Sequence, residues 1–79
     1  MAKKILHLIF PQNQIKKPLI YTMAKKYNVV PNIRRANITE KIGEVTLQLS
    51  GSEENLEKAK KYLKKLGVKV EPIEGDIVG

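Results

Sequence analysis

The chain has 79 residues, fifteen Lys and Arg against eight Asp and Glu for a formal charge of +7, one histidine and no cysteine. A chain this short reads as one domain over residues 1–79 and buries only about 60 to 65% of the surface its unfolded form exposes, so stability is marginal and a partner subunit is a natural supplement. Without cysteine, disulfides and the ordinary zinc and iron–sulfur sites are excluded.

The first ten residues, MAKKILHLIF, open like a secretion signal, but His7 interrupts the apolar run and Pro11 ends it with no small-residue cleavage site. The segment reads instead as a strand: Leu6, Leu8 and Phe10 fall on one face and Ile5, His7 and Ile9 on the other. With both faces largely apolar, it belongs in the middle of a sheet. After a polar loop, Pro18 suits the first position of a helix whose apolar stripe is Leu19, Ile20, Met23 and Tyr27, closed by Asn28 in a left-handed turn. From residue 29 to residue 39 the apolar positions do not share one parity, which predicts a bulged or edge strand, and Pro31 favours the edge.

Residues 40 to 43 read as a hairpin loop in which Gly43 takes positive φ, and Val45, Leu47 and Leu49 then alternate with Glu44, Thr46 and Gln48. Ser52 is an N-cap with Glu53 and Glu54 in the first turn. Leu56, Ala59, Leu63 and Leu66 form the buried stripe, and Lys64, Lys65 and Gly67 close the helix. Residues 68 to 73 read as a last strand and residues 74 to 79 as a loose tail.

Strand, helix, strand, strand, helix, strand is the ferredoxin-like α+β order, βαββαβ, a four-stranded antiparallel sheet with two helices on one face. Strands one and three are then central. Ile5, His7 and Ile9 lie on the face that no helix covers, where burying each isoleucine is worth roughly 1.5 to 3 kcal/mol. A second copy packed sheet against sheet is the expected cover, which makes these three residues the expected homodimer interface.

No chemistry of catalysis is legible. His7 has no acidic residue near it in sequence, the serines and threonines lack a base, and Gly43 and Gly51 stand singly rather than in a phosphate-cradling loop. No enzyme, metal or cofactor is implied. The charge suits an anionic partner, yet the lysines come in pairs along the whole chain, as on the solvated faces of a thermophile-like protein. Base stacking on the sheet is disfavoured because the third strand, EVTLQLS, has no aromatic, Phe10 points to the core and all three tyrosines lie on helices. What remains of nucleic-acid binding is electrostatic. No segment approaches the about 20 apolar residues of a membrane span, so a cytoplasmic location is expected.

Taken together, Pro18-Leu19-Ile20, Asn32-Ile33, Ala36-Asn37-Ile38, Gly43, Leu47, Leu49, Gly51, Ala59, Tyr62-Leu63 and Gly67 to Glu71 resemble a NIL domain, over about residues 5 to 73. That family is the C-terminal regulatory part of the ATPase subunit of bacterial methionine importers. The resemblance implies a ferredoxin-like dimer that holds methionine between its subunits and regulates transport. Another branch precedes an iron–sulfur ferredoxin segment, so a transporter ATPase or a ferredoxin is an implied partner. The chain reads as the regulatory module alone.

Carried over by position, the resemblance puts the family's asparagine on Asn32, its following isoleucine on Ile33 and the strand position six after the asparagine on Ile38, and Arg34 joins Asn32 and Ile38 as a ligand candidate by parity. In a regular strand Asn32, Arg34 and Ile38 share a face, so that an amide, a guanidinium and an apolar side chain meet one amino acid, with Arg35 on the opposite face; a bulge reverses that assignment. Arg34 stands where the family has leucine, which casts methionine specificity into question. Edge arginines also discourage unwanted strand pairing.

Overall fold

The strict alternation read from Val45 to Leu49 extends to both ends of its strand. The protein, described here by a computed structural model covering residues 1–73, has strands β1 (Ala2–Phe10), β2 (Val30–Ile38), β3 (Gly43–Gly51) and β4 (Lys69–Pro72), with helices α1 (Leu19–Tyr27) and α2 (Glu53–Lys65). The tail expected at residues 74–79 lies outside the described residues. The strand order is β2-β3-β1-β4 with every neighbour antiparallel, the predicted ferredoxin-like arrangement. β1 and β3 run side by side from Ala2 opposite Gly51 to Phe10 opposite Gly43.

That register brings Leu6 opposite Leu47 and Leu8 opposite Val45, on the face that both helices cover. Leu6, Leu8, Leu47, Leu49, Met23, Leu56 and Leu63 lose essentially all contact with solvent there. At about 1.5 to 3 kcal/mol for each large side chain buried, this single layer is the main favourable term of a domain with no covalent staple. Phe10, Tyr27, Tyr62 and Val70 pack around its margin.

The helix ends follow local chemistry. Ser52 Oγ accepts from Asn55 N at 3.1 Å, and Gly67 follows α2 with φ 88°. Asn28 closes α1 in the left-handed region, with φ 54° and ψ 51°. Two expectations are corrected. Pro18 is the N-cap of α1 and not its first helical residue: Leu19 N donates to Lys17 O at 2.8 Å, and φ −80° and ψ 61° at Pro18 describe an inverse γ-turn, so its own carbonyl accepts the first helical bond, from Thr22 N. Gly43 does not take positive φ, since Thr39 closes the hairpin instead, its hydroxyl accepting from Ile42 N at 2.9 Å and its N–H donating to Ile42 O at 2.7 Å. Gly43 serves by its lack of a side chain, because a Cβ there would lie 3.1 Å from both Ile15 Cγ1 and Phe10 Cβ. The loop before α1 also contains a 3-10 turn, Gln12–Gln14, that composition did not predict; Gln14 is buried and donates through Nε2 to Leu66 O at the end of α2, at 3.2 Å.

Candidate functional site

Because both helices pack on one face, the other is a grid of side chains set by strand register alone. Read from β2 towards β4, one row is Asn32, Gln48 and Ile5; the next is Arg35, Thr46, His7 and Glu71; a third is Asn37, Glu44, Ile9 and Lys69. Ile5, His7 and Ile9 are half-buried, screened along the strand and by neighbouring strands but not capped by a helix. The β1 side of the face is thus apolar above and below a polar row, and the β2 side is made of amides and cations.

His7 is not isolated, contrary to its expected lack of a partner. Its Nδ1 lies 3.1 Å from Glu71 Oε1, and Lys69 Nζ lies 3.6 Å from Glu71 Oε2. Hydrogen bonding from His7 foremost, then the charge of Lys69, holds the Glu71 carboxyl below its ordinary range. The two residues are 64 apart in the chain, which hides the pair from any local reading. The signal that could have found it is topological, because β4 lies beside β1 and both residues fall on the uncovered face.

The irregular parity of β2 is a bulge. Ile33 pairs with Leu47 and Arg35 with Thr46, leaving Arg34 as the extra residue. The extra residue flips the parity of everything that follows it. Asn32, opposite Gln48, lies on the uncovered face, whereas Ile38, opposite Gly43, lies on the helix side, so the expected shared face of these two residues is not formed. Arg34 does lie with Asn32: its Nη1 donates to Gln48 Oε1 at 3.3 Å. Arg35 joins it on the same face through its register with Thr46, in place of the opposite face that a regular strand would give. Pro31, Ile33, Ala36 and Ile38 make the other side of β2 wholly apolar, and Ile33 and Ile38 remain 55% and 58% exposed at this edge of the sheet.

Ile38 instead helps to line a crevice of about 140 Å³ between β2 and the start of α1, with Phe10, Ile15, Pro18, Ile20 and Tyr21. Of the three residues assigned to the ligand, the structure therefore brings together Asn32 and Arg34 and separates Ile38.

The NIL domain family matches residues 4–72, almost the whole described chain. The chain belongs to the NIL domain family. This NIL domain is similar to the crystal structure of the C-terminal domain of an ABC transporter ATP-binding protein from Enterococcus faecalis, with 34% identity and a TM-score of 0.81 over 92% of this chain and 86% of that one. No curated protein matches it. Among the described residues no helix is long and apolar enough to cross a membrane.

The helix layer of this NIL domain has a different character from its sheet face. The Tyr27 and Tyr62 rings meet at 5.4 Å and 58°, and Lys26 Nζ stands 5.7 and 5.2 Å from their centroids. Lys25 lies 5.5 Å from the Tyr21 ring. The tyrosines are therefore engaged by lysines on the helix side, and among the described residues the uncovered sheet face carries no Phe, Tyr or Trp, its one ring being the His7 imidazole paired with Glu71.

Proposed function

We propose that this NIL domain is a noncatalytic regulatory module that holds methionine or a related amino acid between two copies of itself. The observation that carries the reading is the row Asn32, Gln48 and Ile5 on the uncovered face, with Arg34 bonded to Gln48. Two strand spacings, about 10 Å, separate the ends of that row, comparable with an extended amino acid. Amide and guanidinium donors at one end suit a carboxylate, and the isoleucine at the other suits an apolar side chain. Ile5 takes the role first assigned to Ile38.

An open sheet cannot exclude water from such a ligand, and a second copy supplies the cover. Packing over Ile5 and Ile9 also adds apolar burial that the small core lacks. Ligand bound between copies stabilises the pair over the separate subunits, which is how a domain without chemistry transmits a signal to the ATPase it accompanies. Kinship with an ABC transporter ATP-binding protein's C-terminal domain supports that partner and a cytoplasmic setting.

The test is isothermal titration with methionine and a panel of amino acids, with light scattering on the same samples. Expected are saturable heat and a mass of twice 9.0 kDa. Asn32→Ala should bind at least about tenfold more weakly at unchanged thermal midpoint, because the side chain is exposed and outside the core. Silence up to millimolar ligand with a stable dimer would favour the second reading, a module that docks on a transporter ATPase or an iron–sulfur protein without a ligand of its own. The exposed Tyr21 and Ile38 beside the crevice are the feature that favours it.

A further inference from the structure

We infer that the β2 bulge makes the uncovered face of this domain a site for a small dicarboxylate. The inference rests on the ligand reading above and specifies the ligand's charge.

In a regular strand two consecutive arginines point to opposite faces. Here the extra residue puts Arg34 and Arg35 on one face, joined by a single peptide unit, with Asn32 two residues before Arg34 and Thr46 opposite Arg35. Each guanidinium is a planar fork of five N–H donors that matches a carboxylate. Arg34 gives Gln48 an N–H through Nη1, which orients its plane and leaves its other donors available. Among the described residues neither arginine forms an ion pair; the acidic partners Glu54, Glu57 and Glu71 are engaged by lysines and His7.

Charge decides between ligand classes. The second copy proposed above would take water from both exposed guanidiniums, and a charge left buried without a partner is strongly unfavourable. A ligand with one carboxylate, as methionine has, neutralises one arginine and leaves the other. A ligand with two carboxylates satisfies both, while the amides of Asn32 and Gln48 complete its hydrogen bonds. Glu44, one row on and opposite Asn37, is the nearest acidic side chain on this part of the face and suits an ammonium group. Amino and plain dicarboxylates share the chemistry and are separated by experiment.

Titrate the intact domain with glutamate, aspartate, succinate and methionine at two salt concentrations, and repeat with Arg34→Gln and Arg35→Gln. A dicarboxylate should bind at least tenfold tighter than methionine. Either substitution should weaken it at least tenfold without moving the thermal midpoint, and binding should weaken as salt rises. Preference for glutamate over succinate that Glu44→Gln abolishes marks the amino dicarboxylates; equal binding marks the plain ones, and both uphold the inference. If methionine binds tighter, or both variants bind the dicarboxylates as the parent does, the inference is overturned while the amino-acid reading stands. If no compound binds, both fall.

Discussion

Arg34 and Arg35 show what one residue does to a strand. Their number and polarity are plain in the sequence, and so is the broken parity between Val29 and Ile38; the site of the break is not, because it is chosen by pairing with Leu47 and Thr46 on another strand. Asn32 stays on the uncovered face together with Arg34, while a single inserted position moves Ile38 to the helix side. Glu71 illustrates the same limit, since its partner arrives through topology. Its carboxyl is held below the ordinary range in the folded chain, so as pH falls the unfolded chain takes up its proton first. The stabilisation is present above the ordinary carboxylate range and is lost as pH falls through the lowered value. Glu57 acts in the same direction through Lys4 and Lys60. Urea midpoints measured from neutral to acid pH should therefore fall less steeply for Glu71→Gln than for the parent, and parallel curves would count against the His7 pair.

The elements were the most legible scale, because caps and alternation act over a few residues. Ser52 opened α2, Asn28 and Gly67 closed their helices as read, and Leu6, Leu8, Val45, Leu47 and Leu49 faced the helices. The misreadings concern turns, where several residues compete for one role: Thr39 closes the hairpin that Gly43 was expected to form, and Pro18 sits in a γ-turn before α1. Gly43 then has a packing function that is testable. Gly43→Ala should cost about 1 to 3 kcal/mol, the usual penalty of overpacking, as the added methyl meets Ile15 and the Phe10 Cβ. A denaturation midpoint equal to the parent's would show that the hairpin shifts freely and that the crevice beside Ile38 is softer than its geometry implies.

At the scale of the molecule, strand order and helix layering were accessible from the pattern of elements, since right-handed crossovers leave few alternatives. Whether the other face is covered was not, because both helices pack on one side of the sheet and no described residue covers the other. Leu47 is fully buried where β3 passes between β1 and β2, so Leu47→Ala should cost about 2 to 5 kcal/mol, most of the stability of so small a domain. Circular dichroism should find it largely unfolded at 37 °C; a cooperative melt near the parent's would mean that assembly, more than the core, holds the fold. The kink in β2 has one further effect. It turns the rim of the sheet out of line, so the free ladder beside Ile33 and Ile38 makes a poor template for a neighbouring molecule. Deleting Arg34 would straighten that rim and remove one of its repelling cations, and concentrated solutions of the shortened chain should seed fibres that the parent does not.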